Sequence, residues 1–169
     1  MRATTRPSVG GTPWPEAAEA KRERILAVDY GRKRIGLALS DELGLTARPL
    51  ANFVRTNRRN DLGRLREICR EHAVAHIVVG YPLHMNGEAG EMASEAARFA
   101  GRLRKALCIE VELLDERLTS WEAGQTMAEM KSSSWRRGGT LDDVAAAILL
   151  RDYLNRKREA TQVAIVERD

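Results

Sequence analysis

The sequence predicts an α/β fold, a mixed five-stranded sheet flanked by helices, and three patterns carry that expectation. Two apolar runs separated by a tight turn open the chain's ordered part, as an antiparallel hairpin does. A helical apolar stripe followed by a short strand then occurs twice. A last stretch carries apolar residues at helical spacing behind two acids. The strand-helix-strand crossovers make the later strands parallel, beside an N-terminal antiparallel meander.

Arg24-Ile-Leu-Ala-Val-Asp29 is a short apolar run of the kind a buried strand needs, and the fold starts there, at about residue 23. Tyr30-Gly31-Arg32-Lys33 supplies the turn into a second strand, Ile35 to Ser40, and a third is expected near Arg48 to Val54. Leu62, Leu65, Ile68 and Cys69 recur at helical spacing, and Ala75 to Val79 follows as a strand ended by Gly80 and Pro82. Met92, Ala96, Phe99, Leu103 and Leu107 mark a second helical face. Ile109, Val111 and Leu113 then alternate with Glu110 and Glu112 as in a half-buried strand. Thr119 with Glu122, and Thr140 with Asp143, are capping-box patterns that each open a helix. The resulting order, βββαβαβαα, is an RNase H-like order.

With 169 residues the chain is expected to hold one domain, over residues 23–156. Its 43% hydrophobic and 31% charged residues exclude a membrane-embedded or wholly disordered protein. A net charge of +4 favours a polyanionic partner without identifying one. No apolar run approaches the roughly 18 residues of a membrane helix, and the N-terminus lacks the apolar centre of a secretory signal, so a cytoplasmic protein without membrane partners is expected. Residues 1–22 are expected to be a flexible tail: the lead is basic like a transit peptide, but Gly10, Gly11, Pro13 and Pro15 oppose an amphipathic helix. The charged stretch after Asn155 predicts a second flexible tail over residues 157–169. Cys69 and Cys108 lack metal or redox spacing and are expected to be buried thiols.

Three acidic positions stand where elements end or begin. Asp29 closes the most apolar strand, where open α/β sheets gather their binding sites, and a carboxylate buried there wants a cation; an Asx turn with residues 30–33 is the structural alternative. Asp115 and Glu116 end another strand, either converging on Asp29 or pairing with Arg117. Asp142 and Asp143 lie in the first turn of the last helix, where either favours the helix dipole. Asp143 fits the capping box, which leaves Asp142 as the better ligand candidate. Carboxylates converging without a His or Cys cluster suit hard ions such as Mg²⁺ or Mn²⁺, and His72, His76 and His84 have no ligand spacing. Arg32, Lys33 and Arg34 follow the first acid, and Arg136 and Arg137 precede the last, an arrangement that suits a phosphate backbone. Lys131 to Thr140, rich in Ser and Gly, reads as a loop able to close over a substrate. Gly31 and Gly36 have P-loop spacing, but Leu37 and Ala38 replace the required Lys and Ser/Thr.

Asp29-Tyr-Gly-Arg-Lys-Arg-Ile-Gly-Leu-Ala38, Val78-Val-Gly-Tyr-Pro-Leu83 with Asn86-Gly87, Asp115-Glu-Arg-Leu-Thr119 and Leu141-Asp-Asp-Val-Ala-Ala-Ala147 occur in that order. Together they resemble the YqgF/RuvX family, Holliday junction resolvase-like proteins named as pre-16S rRNA nucleases, over residues 24–154. The resemblance implies an RNase H-like fold and a metal-dependent nuclease that hydrolyses phosphodiester bonds in structured precursor rRNA at its 5′ end. It places the catalytic, metal-holding acids at Asp29, Glu116 and Asp142, with Asp115 and Asp143 in reserve. Gly80 stands where many RNase H-like nucleases carry their second acid, so Glu116 must complete the centre. Two other readings stand beside it: a junction-resolving DNA nuclease and a non-catalytic RNA-binding module of the same fold. A phosphotransferase of the actin-like type would need a duplicated domain that this length does not supply.

Overall fold

The run after Glu23 is central to the molecule because both of its faces are apolar: Ile25 and Ala27 point one way, Leu26 and Val28 the other, and all four are buried. A computed structural model describes residues 23–118 and 141–166. Its elements are β1 (Arg24–Tyr30), β2 (Arg34–Ser40), β3 (Ala47–Val54), α1 (Arg58–Glu71), β4 (Val74–Tyr81), α2 (Glu91–Leu107), β5 (Glu110–Asp115), a 3-10 turn (Glu116–Leu118) and α3 (Leu141–Val166). The five strands lie in the order β3-β2-β1-β4-β5. β1, β2 and β3 form the antiparallel meander, while β4 and β5 run parallel to β1.

Period-two alternation assigns the faces. Leu26 and Val28 of β1, with Ile77 and Val79 of β4, pack against Leu65 and Cys69 of α1 and Ala96, Phe99 and Leu103 of α2. Ile25 and Ala27, with Val78 of β4 and Leu114 of β5, pack instead against Ala146, Ala147, Leu149, Leu150 and Leu154 of α3. The sheet is thus covered on both sides, which explains why β1 reads as an unbroken apolar run. Asn57 caps α1 by accepting the Asn60 N–H at 2.9 Å, so the helix begins earlier than its first apolar residue.

Two expectations need correction. Cys69 is buried, but Cys108 is exposed, because it caps α2 in a left-handed conformation at φ 54° and its side chain turns out of the core. The segment expected as a tail from residue 157 is helical as far as Val166: Lys157, Arg158, Glu159 and Ala160 have high helix propensity and extend α3 past its packed part, with side chains exposed over residues 157–163. The helix expected to open at Thr119, the N-terminal lead and the Lys131–Thr140 loop lie outside the described residues. Among the described residues no helix is long and apolar enough to cross a membrane.

Candidate active site

The C-terminal ends of β1, β4 and β5 meet at one edge of the sheet, and the alternation that sorts the core also sorts the residues at that edge. Asp29 continues the parity of Ile25 and Ala27, and Gly80 that of Val78, so both belong to the α3 face. Glu116 follows Leu114 by two residues and reaches the same face from the 3-10 turn. Its carboxylate lies directly over Gly80: a Cβ at that glycine would overlap Glu116 Oε1, stand 3.3 Å from Glu116 Cδ and touch Leu149 Cδ2 at 3.6 Å. Glu116 therefore occupies space on β4 that any side chain at position 80 would need.

Electrostatics places Asp29 beside it. Burial, then the charge of Asp29, then that of Asp115 push the Glu116 carboxyl up to about 7. Asp115 has a different role. Arg117 grips it through Nη2 at 2.7 Å and Nε at 3.1 and 3.2 Å, and the Arg117 backbone N–H donates to it at 3.0 Å. The guanidinium holds Asp115 below the usual carboxylate range. In the Asp-Glu-Arg run the ion pair thus belongs to Asp115, and Glu116 is turned toward Asp29. Asp142 is a position in the first turn of α3, two turns and about 10 Å before Leu149 on the same helical face, but its side chain and that of Asp143 lie outside the described residues.

The basic candidates separate. Arg32 is engaged with α2: its Nη2 lies 2.9 Å from both Glu91 Oε2 and Glu95 Oε1, and Tyr30 donates to Glu95 at 3.4 Å. Lys33 and Arg34 are exposed at the β1–β2 turn and make no ion pair among the described residues. Arg136 and Arg137 lie outside the described residues.

A further group, without signal in the sequence, secures the end of β1. Arg55 donates to the Gly31 carbonyl at 3.1 Å and to Asp61 at 3.0 Å, and its guanidinium stacks 4.7 Å from the Tyr30 ring centroid. Gly31 must be glycine, since a Cβ there would come within 2.6 Å of the Arg34 carbonyl oxygen. The pairing of Arg55 with Asp61 crosses a strand-helix corner, so neither strand nor helix periodicity reveals it. The loop after β4 is tied in too: Arg117 reaches the His84 carbonyl at 3.5 Å, and His84 accepts the Gly87 N–H at 2.8 Å.

Two hard carboxylates at a strand edge, one held partly protonated by its burial and by the other's charge, are a donor set that a divalent cation would suit, since a cation relieves both costs. Among the described residues no three His, Cys, Asp or Glu side chains form a group able to hold a metal. Asp142, the third acid expected from the sequence, stands in the chain at the start of α3.

Comparison with known proteins gives the family and the fold. The family described as "RuvX: Holliday junction resolvase" matches residues 23–156. A protein of Syntrophus aciditrophicus named "Putative pre-16S rRNA nuclease" is 44% identical over 132 residues, 78% of this chain and 88% of its own. One of Koribacter versatilis with the same name is 40% identical over 134 residues, 79% of this chain and 88% of its own. Among solved structures, T. thermophilus RuvC in complex with a Holliday junction substrate superposes with a TM-score of 0.55 at 15% identity, over 82% of this chain and 97% of that one. That likeness establishes the fold as RNase H-like.

Proposed function

Since the chain belongs to the RuvX family, we propose that it is a nuclease that hydrolyses phosphodiester bonds in structured RNA, with the 5′ region of precursor 16S rRNA as substrate. The observation that carries this reading is the Glu116 carboxylate seated over Gly80 beside Asp29. Burial raises the cost of the Glu116 charge, and the charge of Asp29 adds to it. An arrangement that costs stability at a strand edge is one expected of a functional site.

Asp29, Glu116 and Asp142 would hold Mg²⁺ or Mn²⁺, and when bound such ions supply an activated water and stabilise the leaving oxygen. The chain's own groups do the rest. Arg117 keeps Asp115 out of the pair, so that one carboxylate and not two reaches over Gly80. Arg55 and the Gly31 turn keep the end of β1 in place, and Lys33 and Arg34 offer their charge to phosphates on either side of the cleaved bond. Arg136 and Arg137 are proposed to do the same from the α3 side.

The test is a cleavage assay on purified protein, with a structured RNA spanning the 5′ end of 16S rRNA and a four-way DNA junction, each in Mg²⁺, Mn²⁺ and EDTA. Metal-dependent cutting of the RNA in preference to the junction is expected. Cutting of the junction alone would make the substrate DNA. Binding without cutting under every metal would leave a binding module.

A further inference from the structure

The sheet edge that bears the acid pair carries, toward α1 on the opposite face, more positive charge than the proposed active site uses. Residues 30–40 and 43–60 contain no acid, and at this edge they contribute Arg32, Lys33, Arg34, Arg55, Arg58 and Arg59, while Arg48 lies at the other end of β3. Two of these charges are already balanced, Arg32 by Glu91 and Glu95 and Arg55 by Asp61. Lys33, Arg34, Arg58 and Arg59 are exposed and make no ion pair among the described residues. They also lie together. Arg34 opposes Val54 in the β2–β3 register, the Arg55 N–H donates to the Lys33 carbonyl at 2.9 Å, and α1 begins three residues later at Arg58.

From there the surface continues as an open groove of about 490 Å³ along α1, lined by Thr56, Arg59, Asn60, Gly63, Arg64 and Glu67. Its lining offers the guanidinium groups of Arg59 and Arg64, the Thr56 hydroxyl and the Asn60 amide to sugar and phosphate, with Glu67 a carboxylate at the third turn of α1. Arg64 lies against the Phe53 ring, 5.2 Å from its centroid, which steadies its guanidinium at the groove wall. Gly63 forms part of the floor. It is in the interior of α1, where glycine costs helix stability, yet a Cβ there would meet nothing within 4 Å. The space beside Gly63 is open, so a ligand backbone could approach α1 closely there.

We infer that the β1–β2 turn and the first two turns of α1 form one phosphate-binding track, which starts at Lys33 and Arg34 beside the bond that is cut and leads away from it along α1, seating the backbone of a double-stranded arm of the substrate. The inference rests on the nuclease reading for its orientation. β3 is two strand spacings from β1, so Arg58 and Arg59 lie on the order of 10 to 15 Å from Asp29, three or four base pairs at about 3.4 Å each. Contacts of this type hold a helix by its backbone and do not read its sequence, so duplex arms of RNA and of DNA share the chemistry.

The experiment measures binding without chemistry: fluorescence anisotropy of the full chain with labelled RNA and DNA hairpins in EDTA, over a range of salt. Arg58→Gln/Arg59→Gln is expected to weaken both hairpins about tenfold and to flatten the salt dependence by roughly 1.8, at about 0.9 for each phosphate that is no longer neutralised. Arg102→Gln/Arg104→Gln removes equal charge from exposed positions on α2 and is expected to change neither. Gly63→Gln is expected to raise the melting temperature while lowering affinity, a combination that a damaged fold cannot produce. Unchanged affinity and salt slope in the α1 variant, or an equal loss in the α2 variant, overturns the track. The cleavage assay fails separately: weakened hairpin binding by a protein that cuts nothing supports the track and sinks the nuclease, whereas undiminished hairpin binding by a variant that still cuts does the reverse.

Discussion

Replacing Gly80 with alanine tests the geometry of the acid pair with a single methyl group. The new Cβ would overlap Glu116 Oε1 and meet Leu149 Cδ2 only at an ordinary 3.6 Å, so the carboxylate must move and the core need not. Gly80 does not have a positive φ, and alanine in place of a strand glycine stabilises by about 0.4 to 1 kcal/mol through the unfolded chain. Release of Glu116 toward solvent adds to this. Its carboxyl is raised from 4.5 to about 7, and at about 1.4 kcal/mol per tenfold change in proton affinity the ionised form costs at most about 3.5 kcal/mol where it sits, less by the share that solvent screens. Gly80→Ala is therefore expected to melt at the wild-type temperature or above it. Displacement of the carboxylate by about 1 Å or more should lower metal-dependent turnover about a hundredfold. The pH dependence carries a second signature. Because the folded value lies above the unfolded one, wild-type protein in EDTA has the full contribution of Glu116 below pH 4.5 and loses it as the pH rises through about 7; in Gly80→Ala that loss is expected to shrink. Calorimetry across pH 4 to 8 and single-turnover cleavage measure the two effects. Wild-type turnover in a folded Gly80→Ala would refute the argument, because it would show that the position of Glu116 over Gly80 does not matter.

Other substitutions distinguish groups that the sequence could not. Asp29→Asn, Glu116→Gln and Asp142→Asn are each expected to lower metal-dependent cleavage by about a hundredfold or more with unchanged circular dichroism. Asp115→Asn is expected to cost far less catalysis, because Asp115 serves Arg117, and Asp143→Asn to cost at most about 1 kcal/mol of stability at the helix N-terminus. Arg55→Met leaves Asp61, only 2% exposed, without its cation and is expected to destabilise by about 3 kcal/mol in chemical denaturation, with Asp61→Asn in the same chain recovering part of the loss. A thiol reagent is expected to modify Cys108 alone in folded protein and both cysteines in denaturant, since burial pushes the Cys69 thiol up to about 11.

The order of elements is legible because it rests on periodicity, and periodicity is a local property of the chain. β1 is apolar on both faces, α2 carries its stripe at Ala96, Phe99 and Leu103, and β5 alternates as far as Val111, although Leu113, expected to be inward, is exposed and Leu114 is the residue buried under α3. Where local signals compete, the sequence misleads. The leucine-poor, charged stretch after Asn155 resembles a tail by composition but continues as helix by propensity, and Cys108 stands in an apolar context yet is turned outward by a left-handed cap.

The site is legible to a different depth. That acids at strand ends gather at one edge follows from three parallel strands, so Asp29 and Glu116 can be brought near each other on paper. Which member of Asp115-Glu116 faces the site cannot be decided from spacing, since both readings, convergence on Asp29 and pairing with Arg117, are open. The structure shows both, divided between adjacent residues. The deciding fact is long-range. Glu116 can lie over β4 only because residue 80, thirty-six positions earlier, lacks a side chain, and Gly80 at a strand end gives no local sign that it is a space kept for another residue's carboxylate. A strand-end glycine and an acid on the neighbouring strand should therefore be read as one feature. Moving the acid onto β4, as Gly80→Asp with Glu116→Ala, is then expected to recover part of the activity that Glu116→Ala alone abolishes, measured as single-turnover cleavage in Mn²⁺. No recovery in a folded double variant would mean that the 3-10 turn supplies more than a carboxylate.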